Sequence, residues 1–559
     1  MSMTYKKDID PDLYEFMTYL QLKKGLESGD VFVKDSVNYR SLNDELIPEA
    51  IWKKGKEKIL KKSMKPLLRK PIADILSELK QKLDNKYAEV NNRITSKQNQ
   101  HIKIDVSKNK RITWSLPYKC QEDTVNNPFY EKLPLSNISD VIRFVETKVD
   151  FLKSFSHIQP KYAKTDVHLD HLIAYIIGNG TGIGKGRIAE ISDISLSELE
   201  ATEKNFIRLE TLRNGNDSII NHIAKLPIFK HYNLSDYGIH ASLDGQKIES
   251  KYLTIKARHS GKYFGRSKGV VSYTLVANHV PINSMIIGAN EHESHYVLDI
   301  VLNNSTDVDV RTISGDMHSI NRVNFFLLYM FGYWFAPRLT SVTDKAEKNL
   351  VSFANIEKYK KYMIKPSAQV KEEPIISEWD NILRILATLA GKDCTQSTIV
   401  KKLSSYKSLN STLKAMIELD KIIMTLYVLE YVDDVDLRST VYRALNRGEE
   451  FHQLRSAILK VSGRKIIGRT EMELSINNEC NRFLANCIVY FNASILSNLL
   501  ELYTKKKDKK MCDDIKRLSP VAWQHINLVG NFEFCTNKNI IDLTKMTDNL
   551  AEYLSKKAA

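Results

Sequence analysis

The chain has 559 residues, 43% of them hydrophobic, and a formal net charge of +15. That length and apolar content suffice for several domains with sizeable cores, and the charge favours a polyanionic partner. The six cysteines, at 120, 394, 480, 487, 512 and 535, form no CxxC pairs and have no histidines at zinc spacing, so they read as ordinary thiols in a reducing cytoplasm; neither a signal-like segment nor an apolar run of transmembrane length stands out.

Residues 1–115 read as a basic, mainly helical scaffold. Residues 51–120 hold 19 Lys or Arg and 6 Asp or Glu, and Lys53, Lys54, Lys61, Lys62, Arg69 and Lys70 form a candidate phosphate-tracking surface, with a solvated helix face as the alternative. Trp52 and Trp114 are too isolated for base stacking. A charged helix over Lys80–Arg93 runs toward a polar link at Thr95–Gln100. Residues 116–235 form a helical support that ends in Ser195–Lys225. Inside it, Gly178–Gly186 imitates a phosphate loop, but Asn179 stands where the first glycine belongs and Gly186 replaces the Mg-binding hydroxyl. The preceding Leu172–Ile177 suits helix or strand. A tight helix-to-helix turn is expected there, and no nucleotide cofactor.

Strand-like runs follow at Ile248–Ala257, with Tyr252, Leu253, Thr254 and Ile255, at Gly269–Ala277, at Met285–Gly288 and at Val308–Ile313, which predicts a β-meander and a further strand. Asn321–Phe335 is apolar on most faces and predicts a buried helix. Val441, Leu445, Phe451, Leu454 and Ile458 recur at helical spacing. No internal repeat is evident, and low complexity is confined to Lys505–Lys510.

Three acids occupy unlike settings in this pattern. Asp244, in Ser-Leu-Asp-Gly-Gln, and Asp316, in Ser-Gly-Asp-Met-His, sit beside β-like runs, whereas Glu449, in Ala-Leu-Asn-Arg-Gly-Glu-Glu, lies in a helix. Strand, strand and helix are the mounting points that an RNase H-like nuclease core uses for its acids. Three converging carboxylates can hold two divalent cations about 3.5–4 Å apart, and phosphoryl transfer then needs no Ser or Cys nucleophile. Mg²⁺ suits such a site because it binds through one or two carboxylates plus substrate phosphates. With 67 acidic residues in the chain, solvated surface charge is the default reading of any three.

Further motifs recur along the chain: Ser28-Gly29-Asp30-Val31-Phe32-Val33 with Tyr39-Arg40-Ser41, Phe331-Gly332-Tyr333-Trp334-Phe335-Ala336-Pro337-Arg338-Leu339, Trp379-Asp380-Asn381-Ile382-Leu383-Arg384, and Leu518-Ser519-Pro520 with Trp523-Gln524-His525-Ile526-Asn527-Leu528. With the three acidic motifs, in order and spacing from about Asp12 to the end, the chain resembles the catalytic two-thirds of a transposase of the Tn-three family, bacterial enzymes that move DNA replicatively through cointegrates.

The resemblance implies that Asp244, Asp316 and Glu449 are the catalytic, metal-binding triad; Glu450 is adjacent, but the family motif Arg-Gly-Glu selects Glu449. His452 and Arg455 resemble the family's downstream His and Arg, with His452 on the helical side of Glu449 and Arg455 rotated away; Gln246 and His318 flank the aspartates as supporting or packing residues. The implied chemistry is metal-dependent 3′-end cleavage and strand transfer, with two Mg²⁺ per site, Mn²⁺ able to substitute, double-stranded DNA as substrate, and a homodimer bridging two transposon ends. The implied location is the bacterial cytoplasm, on the nucleoid when DNA-bound.

The expected fold is α+β and mostly helical. An RNase H-like core occupies 236–345, a helical insertion 346–430, a catalytic helix 431–464 and a C-terminal helical region 465–559. Family members usually carry several hundred residues before the point where this chain begins, including end-recognition modules. Two alternatives therefore stay open: an N-terminally truncated remnant that binds DNA or a partner transposase without autonomous activity, and a nuclease that cuts without joining.

Overall fold

The computed structural model describes residues 4–558 apart from 6–7, 29–30, 34–35, 37–38, 64, 107–111, 118–128, 163, 236–237, 406–409 and 535–540. Gly29 and Asp30 of the scaffold motif, Tyr237, Cys120 and Cys535 lie outside the described residues.

After a helix over Pro11–Ser28 and a short turn of helix at Leu42–Glu45, the scaffold continues in helices α1 (Glu49–Lys62) and α2 (Ile72–Thr95). α2 places Ile75, Leu76, Leu79, Leu83, Tyr87, Val90 and Ile94 on one buried stripe, the three-to-four spacing that makes a helix bury one side and wet the other. Helices α3 (Leu169–Gly180) and α4 (Leu209–Ile223) follow. The glycine run after α3 is the expected helix-to-helix turn: Gly182 and Gly184 take φ of 81° and 86° before the next helix opens at Lys185.

The central sheet has five main strands: β1 (Ile239–Ser250), β2 (Lys268–Ala277), β3 (Val280–Gly288), β4 (Val310–Gly315) and the short β5 (Trp334–Phe335). They run in the order β5-β4-β1-β2-β3. The first three form the expected antiparallel meander, while β4 lies parallel to β1 and β5 parallel to β4. β2 is buried on both faces over nearly its whole length, which accounts for its unbroken apolar reading. The β2–β3 turn has two residues, Asn278 and His279, with φ of 48° and 70°, the positive pair that tight hairpins demand.

Between β4 and β5 lies helix α5 (Asn324–Met330), and α6 (Trp379–Gly391), α7 (Ser411–Asp433), α8 (Val435–Lys460) and α9 (Glu471–Lys505) complete the frame. α8 packs on β1 and β2, and α9 packs on α3, α4 and β3. The architecture is therefore α+β, with one mixed sheet inside a mostly helical chain.

Three sequence expectations need correction. The helix expected over Asn321–Phe335 spans only Asn324–Met330; Gly332, with φ of 84°, turns the chain so that Trp334–Phe335 pairs with β4. The strand expected over Ile248–Ala257 instead runs Ile239–Ser250, with Asp244 in its middle, and 251–257 forms no strand. An apolar segment of transmembrane length and composition does exist in α9, but 94% of its apolar window is buried inside the protein, so it is a core helix.

Candidate active site

Pairing of β4 with β1 sets two of the acids side by side. Gly315 pairs with Leu243, so the next residues, Asp316 and Asp244, are neighbours at a spacing of about 4.8 Å between strands. Asp316 lies just beyond the strand, where its Oδ1 accepts the His318 backbone N–H at 2.8 Å. Asp244 is held similarly: the Gly245 N–H donates to its Oδ1 at 2.8 Å.

The motif around Glu449 has a local physical account. Arg447 is buried and its guanidinium donates to the Tyr232 carbonyl at 2.6 Å, tying α8 to the end of the short helix that precedes β1. Gly448 then permits close approach, since a Cβ there would sit 3.0 Å from Ser242 Oγ on β1. Glu449 follows, its side chain 65% exposed, on the side of α8 that faces Asp244. Glu450 turns the other way: its buried carboxylate accepts from Ser519 Oγ at 2.8 Å and lies 3.0 Å from His279 Nδ1.

His452 stands between the acids of strand and helix, with Nδ1 3.7 Å from Asp244 Oδ2 and 3.6 Å from Glu449 Oε2. Ligand-type atoms of Asp244, Glu449 and His452 all fall within 4.8 Å of one another. Asp316 is outside that group but near enough that its charge acts on Asp244. Gln246 clamps strand to helix by donating to the His452 carbonyl at 2.9 Å and to Ser456 Oγ at 2.7 Å. Arg455 is fully buried against β2, donating to Thr274 Oγ1 at 2.9 Å, with its ionisation pushed down to about 9 by burial. His318 is exposed, with Nε2 4.0 Å from Asp316 Oδ2.

Electrostatics tie the group together. Burial raises the Asp244 carboxyl above the ordinary carboxylate range; His452 and the Gly245 N–H oppose this, whereas Asp316 and Glu449 add to it. Glu449 is shifted down, chiefly by its contact with His452. Carboxylates that repel one another this closely form an oxygen donor set suited to a hard divalent cation.

Sequence reading missed a fourth acid. Glu293 lies against β1 where Gly245 has no side chain, and a Cβ on that glycine would collide with its carboxylate. Burial, then the charges of Asp244 and Asp316, push Glu293 up to about 7. The only local signal was the run Glu291-His292-Glu293-Ser294-His295, dense in ionisable groups just past a strand.

The six basic candidates lie elsewhere. Lys53, Lys54, Lys61 and Lys62 are exposed on α1, where Lys53 pairs with Glu49 at 2.5 Å; Arg69 and Lys70 follow in the next turn, with Lys70 paired to Glu78. α1 packs against α6, with buried Trp52 donating to Asp380 at 3.0 Å. A groove of about 1040 Å³ beside β5, lined in part by Lys82, Arg311, Trp334 and Asp434, includes none of Asp244, Glu293, Asp316 and Glu449.

Residues 140–532 match the Tn3 transposase DDE domain family. Among similar proteins, the transposase for transposon Tn2501 from Escherichia coli is 27% identical over 95% of this chain and 52% of its own length. That for transposon Tn501 from Pseudomonas aeruginosa is 25% identical over 96% of this chain and 53% of its own. That for transposon gamma-delta from Escherichia coli K12 is 23% identical over 97% and 54%. The chain thus spans about half the length of the curated relatives it matches. With the family match covering the sheet, α8 and α9, the chain belongs to the Tn3 transposase DDE domain family.

Proposed function

We propose that this chain is the catalytic portion of a DNA transposase that performs metal-dependent 3′-end cleavage and strand transfer in replicative, cointegrate-forming transposition. The observation that carries this reading is the placement of Asp244, Asp316 and Glu449 on adjacent parallel strands and on the helix packed across them. The strand order β3-β2-β1-β4-β5, with an antiparallel meander and then parallel strands, supports an RNase H-like core spread over 236–345 and 431–464, with residues 346–430 inserted between its parts. The regions 1–115, 116–235 and 465–559 then serve as scaffold, support and closing helices.

Asp244, Asp316 and Glu449 would hold two Mg²⁺, or Mn²⁺ in their place; when bound, such ions activate the attacking oxygen and stabilise the leaving one. The chain's own residues supply the positioning. Backbone N–H groups fix the Asp244 and Asp316 carboxylates from behind. His452 orients Asp244 and Glu449 together. Gln246 holds the strand at a constant distance from α8. Water attacks the phosphodiester at the transposon end, breaking its bond to the 3′ oxygen so that a 3′-hydroxyl is freed and a 5′-phosphate stays on the flanking strand; that hydroxyl then attacks a target phosphodiester and displaces the target's 3′-hydroxyl, without a covalent protein–DNA intermediate. The acids remain reachable from solvent, as a polymeric substrate requires, with Asp244 half-buried, Asp316 more open and Glu449 largely exposed. Two transposon ends call for a homodimer on double-stranded DNA, in the bacterial cytoplasm and on the nucleoid.

A second reading is a chain that binds DNA or a partner transposase without acting alone. The test is strand cleavage and joining on a pre-nicked transposon-end duplex with Mg²⁺ or Mn²⁺, wild type against Asp244→Ala. Joining that disappears in the variant supports the catalytic reading; DNA binding without any reaction in wild type supports the second.

A further inference from the structure

The excursion between β1 and β2 has a composition and a position that the acid cluster does not explain. Residues 251–268 carry six cations, Lys251, Lys256, Arg258, Lys262, Arg266 and Lys268, and no Asp or Glu. The segment 461–470, which follows α8, adds Arg464, Lys465 and Arg469, again without an acid. The two segments meet in space: Lys465 and Ile466 pair in parallel with Glu249 and Ser250 at the end of β1, and the Lys251 N–H donates to the Ile466 carbonyl at 2.9 Å. Arg469 lies over the Tyr252 ring at 5.1 Å.

Little of this charge is neutralised by the protein. Lys256 approaches Glu471 at 3.6 Å and Lys465 pairs with Glu249 at 2.6 Å. Among the described residues, none of the other seven cations has a carboxylate within ion-pair distance, and all six of the excursion's cations except half-buried Lys256 are exposed. Seven like charges, five on the excursion and two on the segment after α8 that it meets, cost energy through mutual repulsion, which a polyanion relieves. The anchoring is firm: Ala257, Ile248, Val270, Ile286, Leu459, Ile466 and Leu474 form a small separate core beneath the excursion, joining it to the end of α8 and the start of α9. Its outer residues are apolar instead, with Leu253 74% and Ile255 77% exposed.

The geometry points to this excursion as a DNA-backbone clamp: its cations grip phosphates of the duplex whose strand is cut at Asp244, and Leu253 and Ile255 wedge against a base step. This rests on the acid cluster being the reaction centre. Six residues of strand separate Asp244 from Ser250, about 20 Å of reach, so the clamped phosphates lie about six base pairs from the cut. Apolar wedges flanked by cations are a recurrent means of binding and bending duplex DNA.

The test is salt-dependent binding of the full chain to a 40-base-pair duplex by fluorescence anisotropy, alongside cleavage of a pre-nicked transposon-end duplex. The variant Lys251→Gln/Arg258→Gln/Lys262→Gln/Arg266→Gln should bind at least about tenfold more weakly at 100 mM salt, and the slope of log affinity against log salt should fall by about 0.9 for each phosphate that the variant no longer neutralises. Leu253→Ser/Ile255→Ser, exposed positions that do not threaten the core, should weaken binding with the slope unchanged. A quadruple variant with wild-type affinity and slope overturns the clamp, whatever the cleavage result. Wild type that binds with a steep slope, abolished in the quadruple variant, yet never cleaves, leaves the clamp standing and rejects the catalytic reading instead.

Discussion

The adjacent pair Glu449 and Glu450 allows a sharp separation of catalysis from stability. Successive residues on a helix point about 100° apart, so the two carboxylates enter different environments. Glu449 is 65% exposed beside Asp244, whereas Glu450 is buried against Ser519 and His279. Glu450→Ala deprives the Ser519 hydroxyl of its acceptor at 2.8 Å and the His279 ring of a partner at 3.0 Å. Ser519 Oγ and His279 Nδ1 lie 3.2 Å apart and can still pair with each other, so losing the charge-assisted bonds to the carboxylate should cost about 1.5–3 kcal/mol of stability. Glu449→Ala removes an exposed carboxylate from a crowded acidic group, and stability should stay within about 0.5 kcal/mol. Urea unfolding gives both numbers, and Mn²⁺ titration by electron paramagnetic resonance reports metal affinity. Glu449→Ala should lose metal binding and joining while unfolding like wild type; Glu450→Ala should unfold early yet bind Mn²⁺ wherever it remains folded. The reverse pattern, with Glu450→Ala stable and metal-deficient, would refute the assignment.

Other expectations concern the same surroundings. Glu293 is raised to about 7 from an ordinary 4.5, so its neutral form favours the fold: that contribution is fully present below about pH 4.5 and is lost as pH rises through 7. Glu293→Gln should therefore gain about 2–3 kcal/mol on metal-free wild type between pH 5 and 8, read from urea unfolding at each pH; parallel curves would discount the electrostatic account. Mn²⁺ at one hundred times its Kd should stabilise wild type by about 2.7 kcal/mol in thermal melts and leave Asp244→Asn unmoved, whereas equal stabilisation of both would place the ion elsewhere. Gly448→Val should push α8 from β1, because even a Cβ there lies 3.0 Å from Ser242 Oγ; reaction should fall more than stability, and an unchanged rate would show that the approach of α8 is not critical.

Local chemistry made much of this site legible before any fold was known. The helical spacing of Val441, Leu445, Phe451, Leu454 and Ile458 identifies α8, the β-branched run Gly269–Ala277 identifies β2, and Val308–Ile313 delivers Asp316 past a strand end. The glycine run after α3 is readable as a turn because only residues tolerant of positive φ suit it. Each of these signals lies within fewer than twenty consecutive residues.

What failed to be legible depends on partners distant in the chain. Tyr252–Ile255 has strand-forming side chains but no neighbouring strand, so it projects as an exposed excursion. Gly245 and Lys247 look unlike strand residues, yet pairing with Tyr273 and Val271 carries β1 through them. α9 has the composition of a membrane span, and only its burial among α3, α4 and β3 makes it core. Glu293 joins the acids from a segment 49 residues beyond Asp244, over a glycine that clears its path. The sequence alone determined most element types and the family, and it singled out the three acids as candidates, because periodicity, turn chemistry and motif spacing are local properties. Which carboxylates converge, which glutamate of the pair faces them and which cations stay unneutralised were decided by tertiary structure, since burial and strand pairing arise only between residues far apart in the chain.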